Sequence, residues 1–75
     1  MKILGNDNEV YELLDINNEP LPVDDRFITH LAIIAFLHRS FGVLAKTPLG
    51  DIVLVSLADL RITEASFEEA ERRSK

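Results

Sequence analysis

Phe27–Phe41, FITHLAIIAFLHRSF, is the stretch whose reading decides the fold. Its centre, Leu31–Leu37, is an unbroken apolar run. Wound as a helix at about 100° per residue, it gathers Phe27, Ile28, Leu31, Ile34, Ala35 and Phe41 on one side. Ala32 and Leu37 flank them, and together they make an ordinary core stripe. Thr29, Ile33, Phe36 and Ser40 fall on the far side, where a monomeric surface helix carries charge. Full burial of Ile33 or of Phe36 is worth roughly 1.5–3 kcal/mol. The pair therefore approaches the low end of a small domain's whole stability, about 5–15 kcal/mol. A helix apolar all round is normally covered all round. Ile33, Phe36, Thr29 and Ser40 are accordingly the candidate partner-binding residues.

The entry to this helix is well marked. Asp24 is placed to cap it, Asp25 adds negative charge to the first turn, and Val23 can staple onto Ile28. His38 and Arg39 occupy the last turn and Gly42 offers a left-handed stop. The expected helix, 25–41, would run about 26 Å at 1.5 Å per residue.

Outward from it, Lys2–Leu4 and Val10–Ile16 flank Gly5-Asn6-Asp7-Asn8, a strong turn signal, and read as a first hairpin. Asn17–Pro22 reads as a loop. Val43–Lys46, the turn Thr47-Pro48-Leu49-Gly50 and Ile52–Val55 read as a second hairpin. Its last strand is continuously apolar, of the kind buried on both faces. Ser56 can cap a helical turn over Leu57–Arg61, and Ser66 with Glu69 can open a short C-terminal helix. The expectation is a single α+β domain over 1–75: antiparallel β-hairpins packed on one long central α-helix, in ββα-ββα order, with a short C-terminal helix.

The chain has 75 residues, no cysteine and a net charge of −5. That length holds one marginal core, and small scaffolds add disulfides, a metal or self-association. Without cysteine, disulfides and thiolate metal sites are excluded, so a homodimer is the expected staple. The N-terminal residues do not read as a signal peptide, and Leu31–Leu37 falls far short of the roughly 20 apolar residues that cross a bilayer. The expectation is a cytoplasmic protein with no membrane association.

Charge is uneven along the chain. Residues 1–25 hold seven acids and one base, residues 26–50 three bases and no acid, and residues 51–75 six acids and four bases. Such a chain is a poor match for nucleic-acid phosphate. Asp7, Glu9, Glu12, Asp15, Glu19, Asp24 and Asp25 read first as a solvated hairpin edge. A face for a basic partner, or a phosphate-mimicking inhibitor surface, is the functional alternative.

Catalytic and metal-binding residues are not expected. His30 and His38 lie eight positions apart, about 80° on the wheel and some 12 Å along the axis, too far to share a metal. Ser56 is explained as a cap, and Val55 stands where the Asp-Ser-Leu motif of acyl carrier proteins has its Asp. Leu54-Val55-Ser56-Leu57-Ala58-Asp59-Leu60 is weakly similar to the strand-to-helix step of Phd/YefM-type antitoxins. That likeness spans seven residues, and helix 25–41 has no counterpart there, so it assigns no family.

The functional expectation is a small non-enzymatic interaction module, accessory or regulatory, acting as a homodimer or docking on a protein partner, with no cofactor. Its alternatives are an acidic inhibitor of a nucleic-acid-handling complex encoded by a mobile element, and an antitoxin-like DNA-binding regulator.

Overall fold

Asn8 and Gly50 both take left-handed backbone angles, φ 67° and 90°, and each closes a hairpin. In the first, β1 (Lys2–Leu4) pairs antiparallel with β2 (Val10–Leu14), and Ile3 faces Tyr11. In the second, β3 (Gly42–Lys46) pairs with β4 (Ile52–Ser56) about the Thr47–Gly50 turn, where Gly50 N–H donates to Thr47 O at 2.9 Å. The two hairpins do not stand apart, because β2 also pairs with β3, Leu13 against Ala45. The result, seen in a computed structural model that describes residues 1–74, is one antiparallel sheet in the order β1-β2-β3-β4.

The sheet is closed on one side only. After β4, Ser56 Oγ accepts from Ala58 N–H and opens a short 3₁₀ turn, Leu57–Asp59. The chain then crosses to the outer edge of β1. There Asn6 N–H donates to Asp59 O at 2.8 Å and Arg61 N–H to Leu4 O at 2.9 Å. β1 is thus covered on both edges, while β4 has β3 on one side alone.

Helix α1 spans Asp25–Leu37, 13 residues, capped by Asp24, whose Oδ1 accepts from Arg26 N–H at 2.9 Å. It is shorter than the expected 25–41. The chain leaves the helix because backbone groups beyond it find other partners. Arg39 O accepts from both Ser56 Oγ and Ala58 N–H, and Phe41 O accepts from Leu57 N–H. Gly42 is therefore no helix stop but the first residue of β3. A Cβ there would lie 3.0 Å from Leu54 Cγ, so the glycine lets Leu54 lie over it.

The expected arrangement of hairpins around a long central helix is not matched. The elements run β1-β2-α1-β3-β4 and then the 3₁₀ turn and α2. The helix laid closely along the sheet is α2 (Glu64–Arg73), against β1 and the adjoining part of β2. Its cap is Thr63, whose Oγ1 accepts from Ser66 N–H at 3.2 Å, and not Ser66 as the spacing suggested. Ser66 is instead buried, its Oγ accepting from Leu4 N–H at 3.0 Å. The core joins Met1, Ile3, Leu13, Ala45, Leu57, Leu60 and Phe67 to Leu31, the one buried residue of α1.

Candidate functional site

α1 reaches the core through Leu31 and the half-buried Ile28, Ile34 and Ala35, which lie three and four residues apart on one stripe. Phe27 and Phe41, expected on that stripe, are exposed instead, Phe41 because it follows the helix rather than belonging to it. The outward side carries Thr29, Ile33 and Phe36, which the helix does bring together. Ile33 is 52% exposed and Phe36 80%. The described chain encloses neither, though Phe36 borders an open groove with Leu57 and Ile62. Thr29 Oγ1 donates back to Asp25 O at 3.0 Å, so its hydroxyl is already partnered.

Ser40, the fourth residue assigned to this face, lies in the turn after the helix and does not extend the row. Leu37 takes its place. It is 64% exposed, one helical turn from Ile33 and beside Phe36. On the wheel Leu37 flanks the core stripe because Phe41 extends the stripe's edge toward it. With Phe41 beyond the helix end, the edge retreats to Ile34 and Leu37 falls outside the stripe. The exposed row Ile33, Phe36, Leu37 is the candidate docking face.

A second feature lies along β4. An open cleft of about 640 Å³ is lined by Asn6, Asp7, Tyr11, Thr47, Val53, Leu54, Val55 and Asp59. One wall is β4, which was expected to be buried on both faces. As the edge strand it leaves Leu54 73% exposed and Ile52 about half exposed. The opposite wall is the β1–β2 turn, where Asp7 Oδ2 accepts from the Tyr11 hydroxyl at 2.6 Å and Oδ1 from Glu9 N–H at 3.1 Å. These bonds, Tyr11's first, hold the Asp7 carboxyl below its ordinary value. The Asp7 bond, with some burial, pushes Tyr11 up to about 12. A phenol so held keeps its proton at neutral pH and is no general acid or base there.

Among the described residues, no three His, Asp or Glu side chains converge as a metal site, and no helix is long and apolar enough to cross a membrane. No protein-family model, curated protein or solved structure matches the chain.

Proposed function

We propose that this chain is a small non-enzymatic interaction module that self-associates through the outward face of α1. The observation that carries this reading is the exposure of Ile33 and Phe36, 52% and 80%, side by side on a regular helix. Apolar side chains scattered singly over a surface are ordinary, whereas a contiguous row marks a contact site.

Charge favours a second copy as the occupant. Asp24 and Asp25 stand at the helix N-terminus, where Arg26 lies 3.7 Å from Asp24 and offsets one of the two charges, and His38 and Arg39 follow its C-terminus. Two copies crossing antiparallel about a two-fold axis bring the acidic end of each toward the basic end of the other. Ile33 and Phe36 of the two copies then meet in the middle, and the helix dipoles oppose favourably.

Multi-angle light scattering tests the reading. The native chain is expected to run at twice its monomer mass, and Ile33→Lys/Phe36→Lys at the monomer mass with unchanged circular dichroism. A native monomer at high micromolar concentration removes the proposal.

A further inference from the structure

We infer that the free edge of β4 is a second docking site, which takes an extended basic segment of a partner protein as an added strand. This surface is separate from α1 and does not depend on self-association there.

The hydrogen bonds of the second hairpin fix which backbone groups are free. Thr47 N–H donates to Asp51 O at 2.8 Å and Leu57 N–H to Phe41 O at 2.9 Å, at the two ends of the ladder. Antiparallel pairs alternate between bonded and non-bonded. The bonded pairs between these ends are therefore Val43 with Val55 and Ala45 with Val53. Ile52 and Leu54 consequently point their N–H and C=O groups away from β3, and neither finds a backbone partner in the described chain.

Folded proteins blunt such edges with lysine, proline or a covering segment. Among the described residues, β4 has none of these. β4 reads Ile-Val-Leu-Val-Ser, with no charge and no proline. The opposite edge of the sheet, by contrast, is covered by the chain at Asn6 and Arg61.

Space and charge identify the occupant. The cleft beside β4 is about 640 Å³, and its lining holds two carboxylates, Asp7 and Asp59, and no base. A strand bonded to Ile52 and Leu54 would turn alternate side chains two ways. Those on the side of Val53 and Val55 enter the cleft toward the carboxylates, and those on the other side lie against Leu54 and Ile52. Lysine or arginine suits the first set and apolar side chains the second. A second copy of β4 would offer only valines to the carboxylates. Charge therefore favours a basic, amphipathic strand over self-pairing.

Anisotropy titration with a fluorescein-labelled alternating lysine–valine peptide tests this. Saturable binding is expected, with amide shifts in NMR spectra centred on Ile52 and Leu54. Affinity should fall by about ten-fold or more for a glutamate–valine peptide, for the lysine–valine peptide N-methylated at alternate residues, and for Asp59→Lys. Ile33→Lys/Phe36→Lys should bind the peptide like the native chain, so failure of the α1 proposal and failure of this one are told apart. Four results would each overturn it: no binding, equal binding of the acidic peptide, amide shifts centred on α1, or a dimer dissociated by Leu54→Lys rather than by the α1 variant.

Discussion

Two helices accompany the sheet, and their compositions suggest the reverse of what they do. α1 is almost wholly apolar through Leu31–Leu37, yet it buries only Leu31, and Ile33, Phe36 and Leu37 stand in solvent. α2 is mostly charged, yet it buries Ser66, Phe67 and Ala70 and lies closely along β1. Apolar content says how much oil a segment carries. Where that oil goes depends on which backbone can approach the sheet. α2 comes close because small residues, Ser66 and Ala70, face inward and let the chains approach. α1 stands off and touches the core through its side chains alone. The helix that stabilises the monomer is α2, and the helix with surface to spare is α1.

The sharpest way to break this contrast is to truncate one phenylalanine from each helix. Phe67→Ala removes a buried ring from the core and is expected to cost about 3–5 kcal/mol. That is enough to unfold much of a marginal domain at room temperature. Phe36→Ala removes an exposed ring and is expected to leave the monomer's stability within about 0.5 kcal/mol. Urea titrations of both at low protein concentration measure the difference, and equal losses would show that α1 is as well buried as α2.

Ser66→Ala should come next. It deprives the Leu4 N–H of its acceptor at a site closed to water. A buried donor left unmatched costs about 1–3 kcal/mol. Hydrogen exchange at the Leu4 amide, measured in native conditions, should quicken in the variant. A change within error would mean that water or a neighbouring carbonyl takes over the bond.

Both hairpins were legible in the sequence, since Asn8 and Gly50 sit where left-handed turns are cheap and apolar residues flank them. So was the cap at Asp24. What failed was long-range. Gly42 looked like a helix stop because nothing local says that Arg39 O and Phe41 O bond to the chain near Ser56 and Leu57. Ser66 looked like a cap because a serine three residues before a glutamate is a capping box in isolation. Its bond to Leu4 spans almost the whole chain. β4 read as doubly buried because an apolar run has the same composition at the centre of a sheet and at its edge. On α1, Ile33 and Phe36 were legible from the wheel alone, whereas Leu37 became visible only once the true helix end was known.

Ile33→Lys/Phe36→Lys sharpens the comparison from the other side. Lysine on an exposed helix face is expected to change the monomer's folding free energy by no more than about 0.5 kcal/mol. Its larger effect should be on mass action. The native chain's melting temperature should rise with protein concentration, as it does when only the folded state associates, and the variant's should not. A concentration-independent melt in both would leave α1 without a second copy.

The smallest expected effect is confined to extremes of pH, at the one tyrosine of the chain. Unfolded, Tyr11 ionises near 10. Folded, the bond to Asp7 holds its proton up to about 12. Between those values the folded chain binds more protons than the unfolded one, so stability falls as pH rises through that window. Asp7 works in the opposite sense. Its folded value is lowered, so its contribution is present at neutral pH and is lost as acid titrates it below the ordinary carboxylate range. Asp7→Ala removes both the acceptor and its charge from the turn. Ultraviolet difference titration of the tyrosinate should then show Tyr11 ionising nearer 10. An unchanged titration in that variant would mean that the bond to Asp7 is not what holds the phenol's proton.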